Sequence, residues 1–394
     1  MPVNLLDIQQ KLNDFSVQAQ ARKAKIASRQ QEVSNLIEGY ADRLDELRER
    51  FNRAADQIPH LRCAVPVDEP LDTALPSPPL PTTFTVLAAD GSQINPSRHS
   101  RVEFCVINVG VVKMVRGSGE TPEIHTQSQL LDYDAIFLPG GGMISEGMVA
   151  LKRDLREREA LIELSGAFQL PAISMTDGPL ELYREPQETQ EFGRTLEQYL
   201  DVLTRLQQQN VMTLGYVDKP GSDLIGRLLE LVQLSDADLA VYNQRRRFVG
   251  VSDINLLVDL LQRPGDRSAV FAIYSETAAR FTGDLALHFF YVNVGQPGKP
   301  HLARVEIPAW VARDKSLVGL LQSVLVEQTR ILGTRPYPYI LHRAHEVAVV
   351  TMPEHAHVEE MIVAEFKRRG IPCDEQSYKQ FHKDLPTGKT RYQG

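Results

Sequence analysis

The sequence has little cysteine, a single tryptophan and no long apolar run. Its three cysteines, Cys63, Cys105 and Cys373, are scattered and form no CxxC pair, which indicates reduced thiols rather than disulfide bridges or a zinc site. No stretch of about eighteen uncharged apolar residues occurs, and this excludes an integral membrane protein. The first residues lack the basic and apolar segments of a signal peptide. We therefore expect a cytoplasmic protein with no membrane partner.

Basic residues are also fewer than acidic residues. The 394 residues include 43 Lys and Arg against 51 Asp and Glu, a formal net charge of −8. The chain is therefore not a nucleic-acid binder that works by bulk positive charge. The acidic balance still permits a nuclease, which needs only a local basic groove beside an acidic metal site. The hydrophobic fraction of 42% is ordinary for a globular protein and excludes a fully disordered chain.

Three segments differ in their pattern along the chain. Residues 1–65 carry apolar side chains at helical spacing and predict an N-terminal helical arm. Residues 66–83 are rich in proline and predict an extended connector. In residues 84–394 apolar strands alternate with amphipathic helices, so we predict an α/β domain of mixed α+β type. A short strand is expected at residues 347–351, just before the last helix.

Two apolar strands end in an Asp-Gly pair. Asp90-Gly91-Ser92 follows the first strand of the predicted domain, and Asp177-Gly178 follows a later one. A strand end presents a carboxylate rigidly, and carboxylate oxygens are ligands of hard divalent cations. The repeated pattern suggests that Asp90 and Asp177 converge on one metal centre. Two unrelated turns are the alternative, because Asp-Gly is also a common turn pair.

A charged helix is predicted between these two strands, over residues 144–164. It offers three glutamates, Glu157, Glu159 and Glu163, interleaved with basic residues. Most of these charges must form a solvent-facing surface with i,i+4 pairs. At most one or two of the carboxylates can reach a metal ion, and the periodicity alone leaves open which.

Two further clusters carry candidate residues. Residues 335–345 hold two arginines, two histidines and two tyrosines, and this density favours a site because a neutral imidazole binds metal or moves a proton. Arg245, Arg246 and Arg247 form a basic run in a predicted loop. We expect these three side chains to contact phosphates.

The order of these motifs resembles the NurA nuclease family. Five motifs follow one another between residues 84 and 350. They are a strand with Asp-Gly-Ser, a charged helix, a strand with Asp-Gly-Pro-Leu, a strand ending near a lysine, and a late Tyr-Pro-x-x-Leu-x-x-Ala-His. The last motif is the most specific, and it matches position by position from Tyr337 to His345. The resemblance implies an RNase H-like core, with a mixed central sheet flanked by helices. It also implies a divalent metal cofactor, Mn²⁺ or else Mg²⁺.

Carried over to this sequence, the resemblance implies five active-site residues: Asp90, Glu159, Asp177, Tyr337 and His345. All of them except Tyr337 would bind the metal ion. Glu159 is chosen as the helical ligand because it stands three residues after Arg156, while Glu157 and Glu163 remain open. Lys219 resembles the strand-end lysine of the family and would contact a phosphate.

The family implies a function and partners. Its members act as 5′→3′ exonucleases and single-strand endonucleases on DNA in end resection and repair, as homodimers with a HerA-type hexameric ATPase. One alternative is a catalytically inactive NurA-like adaptor, or DNA-binding subunit, of a translocase complex. Another is a metal-dependent phosphatase that acts on small molecules and would need a closed pocket rather than a groove.

Overall fold

The computed structural model describes residues 4–138, 141–164, 170–182, 190–239, 241–244 and 246–373. The chain divides into two compact units that interleave along the sequence. The first unit contains the described parts of Met1–Thr82, Asp177–Tyr183 and Val211–Tyr339. The second contains the described parts of Thr83–Thr176, Arg184–Asn210 and Ile340–Gly394. The predicted boundaries at residues 65 and 83 stay a prediction.

Strands and helices alternate through both units. The strands are β1 (Cys63–Pro66), β2 (Phe84–Ile94), β3 (Val106–Arg116), β4 (Glu123–Leu130), β5 (Phe137–Leu138), β6 (Gly142–Met143), β7 (Ala172–Asp177), β8 (Val211–Val217), β9 (Phe271–Tyr274), β10 (Leu287–Asn293) and β11 (Leu302–Pro308). The α-helices are α1 (Leu5–Tyr40), α2 (Leu44–Ala55), α3 (Tyr133–Ile136), α4 (Glu146–Glu163), α5 (Gln190–Gln208), α6 (Leu224–Leu231), α7 (Asp236–Leu239), α8 (Asp253–Leu257), α9 (Ala309–Ala312), α10 (Lys315–Arg330), α11 (Tyr339–Ala348) and α12 (Met352–Arg368). In the described part of the chain, no helix is both long and apolar enough to cross a membrane.

The second unit is built on strands in the order β4-β3-β2-β7. The first three strands in sequence form an antiparallel meander. After helix α4, β7 returns to pair with β2 in parallel, with Thr85 opposite Ala172. A three-strand meander followed by a helix and a parallel strand beside the first is the arrangement of an RNase H-like core. The predicted fold class, mixed α/β with this core, is confirmed.

Helices cover both faces of this part of the sheet. Gly91 faces α4, because a side chain at this position would lie 2.6 Å from the Arg153 stem. Gly110 faces α11 on the other side, where an added Cβ would lie 2.7 Å from the carbonyl oxygen of Ala344. Strand residues alternate between faces, so Asp90, which is opposite Gly110 in the register, lies on the α11 face.

The first unit is antiparallel, with strands in the order β1-β9-β10-β11-β8. The helical prediction for the N-terminal arm is confirmed by α1 and α2. Helix α1 is 36 residues long, but only Val33 and Ile37 are buried in it. Its N-terminal half exposes apolar side chains such as Leu12 and Phe15. Helix α2 buries Leu47 and Phe51 and packs beside β1 and α6.

The strand expected at residues 347–351 is wrong. Val347 and Ala348 end helix α11, and the three residues that follow form no strand. The β-branched run Val347, Val349 and Val350 misled the prediction. Ala344 and Ala348 decide the outcome, since their small side chains let the helix backbone lie directly on Gly110.

Candidate active site

Asp90 and His345 form a hydrogen-bonded pair in the second unit. The Nδ1 atom of His345 donates to Oδ2 of Asp90 at 2.7 Å, and the Gly91 N–H donates to Oδ1 at 2.9 Å. The Asp90 side chain is 18% exposed, whereas that of His345 is 62% exposed. A carboxylate that accepts the hydrogen bond from Nδ1–H leaves Nε2 available for proton transfer or metal binding on the solvent side.

Glu157 of α4 lies next to this pair, on the other face of β2. A side chain at Gly91 would come within 2.7 Å of Glu157 Oε1 and 2.6 Å of Arg153 Cγ. Only glycine therefore lets α4 approach β2 this closely beside Asp90. Glu157 is buried, with 8% of its side chain exposed, and Arg153 Nε lies 3.3 Å from its carboxylate.

The carboxylates of this cluster repel one another. The pKa of Glu157 is raised well above its ordinary value by burial and by the negative charges of Asp154 and Asp90, against the opposing effect of Arg153. Burial also raises the pKa of Asp154, with a smaller contribution from Asp90. Arg153 is the nearest compensating cation, and its Nη2 donates to Asp154 at 3.0 Å. Arg158 also offsets these charges, but the net effect on the pKa values of Asp154 and Glu157 is upward.

The other two candidate glutamates lie on the outer face of α4. Arg156 donates to Glu159 at 3.1 Å and to Glu163 at 2.6 Å. Gln127 also donates to Glu163 at 2.9 Å. The chosen ligand Glu159 is thus engaged by Arg156, while Glu157, which the sequence left open, is the helical glutamate beside Asp90. Metal binding by either residue stays a prediction.

Asp177 and Tyr337 belong to the first unit and meet at Tyr216 of β8. The rings of Tyr216 and Tyr337 pack edge to face with centroids 5.5 Å apart. The N–H of Gly178 donates to the carbonyl of Tyr216 at 2.8 Å, which holds the Asp177 turn on the end of β8. The pKa of Tyr216 is raised well above its ordinary value by burial and by the charges of Asp218, Tyr337 and Asp177.

Lys219 follows β8 in a strained conformation. Its φ of +45° lies in the left-handed region that favours glycine. The preceding Asp218 accepts a hydrogen bond from Nε2 of His301 at 2.6 Å. Lys219 itself is exposed, as a phosphate contact requires, and this predicted role stays a prediction.

The arginine run after Tyr242 is largely engaged within the first unit. Arg245 lies outside the described residues. Arg246 donates to Asp223 at 2.7 Å and to Glu230 at 3.0 Å, with 12% of its side chain exposed. Arg247 forms an ion pair with Glu32 of α1 and stays half exposed. The ion pairs with Asp223 and Glu230 account for the conformation of Arg246, and a contact with DNA is not needed to explain it.

The chemistry of the second-unit cluster fits a divalent cation. Its oxygen donors are Asp90, Asp154 and Glu157, and carboxylate oxygens are the ligands that Mg²⁺ and Mn²⁺ prefer. The raised pKa values of Asp154 and Glu157 mark an environment in which a bound cation would favour the ionised carboxylates. As the side chains stand, no three His, Cys, Asp or Glu groups converge on one point among the described residues.

Sequence reasoning missed two members of this cluster, Arg153 and Asp154. Their signal was present as spacing, since Asp154 and Glu157 stand three residues apart and Arg153 and Glu157 four apart, which places them on one helix face. Tyr216 and the Asp218–His301 pair were also missed. Their signal was weaker, because His301 is 83 residues from Asp218 in sequence.

An RNase H-like sheet that carries acidic residues such as Asp90 of β2 is typical of nucleases, which usually use divalent metal ions in this fold. Comparison with protein families assigns this chain to a particular family. The model of the NurA domain matches residues 84–350, more than half of the chain. The chain therefore belongs to the NurA nuclease family, as its motifs indicated.

Two solved structures are similar to parts of the chain. The catalytic domain of human Endonuclease V has 13% identity and a TM-score of 0.31, over 82% of this chain and 98% of that one. LC9-RNase H1, a type 1 RNase H with the type 2 active-site motif, has 12% identity and a TM-score of 0.22, over 39% of this chain and 72% of that one. At these TM-scores neither likeness supports a functional argument. Comparison with curated proteins gives no match.

Proposed function

We propose that this protein is a metal-dependent DNA nuclease, with 5′→3′ exonuclease and single-strand endonuclease activity in DNA end resection and repair. The observation that carries the proposal is the buried Glu157 beside Asp90, with His345 hydrogen-bonded to Asp90, in a member of a nuclease family. The strand direction and the role in resection come from the family.

Asp90 and Glu157 would hold the cation, with Asp154 beside them and Asp177 as a further predicted ligand. When bound, a divalent cation activates water and stabilises the leaving oxygen of a phosphodiester. Mn²⁺ and Mg²⁺ both suit these hard oxygen donors, and an imidazole ligand from His345 would favour Mn²⁺.

The remaining side chains of the proposed site move a proton or contact the phosphate. Asp90 orients the His345 imidazole through Nδ1, so Nε2 has one of two alternative roles: it binds the cation, or it exchanges a proton with the reacting oxygen. Arg153 adds positive charge beside the phosphate. In this proposal Tyr337 orients the phosphate or water, and Lys219 contacts a backbone phosphate.

DNA ends, single- or double-stranded, are the proposed substrate. A second copy of the chain and a HerA-type hexameric ATPase are proposed as partners, both supported by the family alone. A cytoplasmic location is supported by the free cysteines Cys63, Cys105 and Cys373.

A catalytically inactive adaptor is the second candidate. It is favoured by one observation, the lack of three converging metal-binding side chains in the described part of the chain. Such a subunit would bind DNA or its partner and leave DNA ends intact. The same experiment separates the two functions.

The test is incubation of the protein with single-stranded DNA labelled at its 5′ or 3′ end, in Mn²⁺ or EDTA. We expect metal-dependent cleavage that Asp90→Asn abolishes. Asp134→Asn is the matched control, because Asp134 is an exposed acid of the same unit, and it should cleave like the wild type. Intact DNA with the wild type and all variants would support the adaptor instead.

A further inference from the structure

A cavity lies beyond the proposed site, where β2 ends. Its volume is about 420 Å³, and it is formed by the last residues of β2, the segment after them and the first two turns of α12. Gln93 and Asn95 line it from one side, and Thr351, Met352 and His355 from the other. Gln93 stands three residues after Asp90 on the same strand, roughly 10 Å along β2. The cavity is therefore within the reach of a polymer bound at Asp90.

The amide groups of this cavity are set to meet a hydrogen-bonding ligand. Nε2 of Gln93 donates to Oδ1 of Asn95 at 2.8 Å. Oε1 of Gln93 is buried, yet it accepts no hydrogen bond from the described residues. A buried acceptor without a donor costs on the order of 1–3 kcal/mol. Both side chains line the cavity, and a side-chain amide supplies the donor and the acceptor that the edge of a nucleobase complements.

Two flat or polarisable groups complete the cavity. The imidazole of His355 stacks on the Phe104 ring with centroids 5.7 Å apart and an interplanar angle of 23°, which fixes the orientation of the imidazole. Met352 is 70% exposed, an unusual position for so apolar a side chain. A rigid ring and a thioether form a surface on which any base stacks, whatever its sequence identity.

The charge of the lining also favours a base over a phosphate. Glu359 is its acid, and this carboxylate accepts hydrogen bonds from the backbone and side chain of Arg101 at 3.0 and 3.4 Å. The lining is thus close to neutral. Arg98 is exposed and follows the lining residue Ser97 in sequence, so it would supply a cation for the sugar-phosphate chain.

We propose that this cavity is a nucleobase subsite that holds one base of a single-stranded DNA whose phosphate lies at Asp90. Three stacked nucleotides span roughly 10 Å, so the bound base belongs to a nucleotide within about three of the scissile phosphate. Gln93 and Asn95 hydrogen-bond its edge, and Met352 and His355 stack on its face. The proposal rests on the nuclease function proposed above, and it assigns the cavity a role in holding the strand.

The test measures the binding of a short fluorescent single strand in EDTA, where no cleavage occurs. A series of strands carries one abasic nucleotide, moved along one position at a time. With the wild type we expect one position at which the abasic nucleotide weakens binding about tenfold, since one stacked base contributes about that much. Met352→Ala and Gln93→Leu should weaken binding of the intact strand by a similar factor and lose the dependence on that position.

Met361→Ala is the matched control, because Met361 is also on α12 and 60% exposed but does not line the cavity. It should bind every strand like the wild type. If Met352→Ala and Gln93→Leu keep the wild-type pattern, the subsite is wrong even where Mn²⁺-dependent cleavage is present. Base-dependent binding without cleavage would instead remove the nuclease and leave the subsite. No DNA binding at all would overturn both.

Discussion

The two faces of helix α4 carry the same residue types and differ in what surrounds them. On the inner face, Arg153 and Glu157 pack against Gly91 of β2, and 8% of the Glu157 side chain is exposed. On the outer face, Arg156 binds Glu159 and Glu163, whose side chains are 33% and 45% exposed. The inner Arg–Glu set packs against β2, whereas the outer set is partly exposed to solvent.

The two faces of α4 shift the pKa values of their glutamates in opposite directions. Burial and neighbouring carboxylates raise the pKa of Glu157, whereas hydrogen bonds from Arg156 lower the pKa of Glu163. A strained, charge-rich environment is where chemistry is expected, and a solvated ion pair contributes little. Burial against β2 therefore distinguishes the two faces where composition does not.

The largest expected effect is on cleavage. Glu157→Gln keeps the shape of the side chain and removes its charge, so it should lower Mn²⁺-dependent cleavage about hundredfold or more, as the loss of a ligand worth several kcal/mol implies. Glu159→Gln is the matched change on the outer face and should stay within about twofold. The measurement is single-turnover cleavage of labelled DNA. The reverse result would restore Glu159 as the helical ligand.

The second effect is on packing at β2. Gly91→Ala places a methyl group 2.6 Å from Cγ of Arg153, and relief of this overlap should cost about 1–3 kcal/mol of unfolding free energy. Gly142→Ala is the control, since nothing lies within 4 Å of an added Cβ there. Chemical denaturation of both variants checks the expectation. Equal stability of the two would mean that α4 does not press on β2.

The third effect is a pH dependence of stability that comes from Glu157. Its raised pKa means that the folded state holds this proton more tightly than the unfolded chain does. The stabilisation is complete below the ordinary pKa of a glutamate and is lost as the pH rises through the raised pKa. In EDTA, Glu157→Gln should therefore melt about 2 °C higher than the wild type at pH 8 and no higher in acid. A gain that is the same at every pH would contradict this origin.

The smallest effect belongs to the outer face and has the opposite sign. Because the pKa of Glu163 is lowered, its ion pair with Arg156 stabilises the fold above the ordinary glutamate pKa and is lost as the pH falls through the lowered value. Glu163→Gln should cost less than about 1 kcal/mol near neutral pH, since the pair is half exposed. Salt should reduce this cost further. A loss above that size, unchanged by 1 M salt, would show that the outer pair is not simply solvated.

Much of the fold was predictable because local patterns decide it. The strand that begins at Phe84, the helix before Asp177 and the arm helices were all predicted from periodicity, and the motif order indicated the NurA family. The expected end of the first strand at Asp90 was wrong, because pairing with β3 continues β2 through Asp90-Gly91 to Ile94. The strand at residues 347–351 was not, because its valines have strand propensity while packing on Gly110 requires a helix.

The candidate site was predictable only in part, for the same reason. Residue type and motif order made Asp90 and His345 candidates, and the fold joins them over 255 positions by one hydrogen bond; their catalytic role stays a prediction. They did not distinguish Glu157 from Glu159, nor did they show that Arg246 is taken up by Asp223 and Glu230. Sequence specifies local conformation and the kind of chemistry available, because both depend on residue type and short spacing. Burial, charge balance and the choice between equivalent side chains depend on contacts between distant segments, and these exist only in the folded chain.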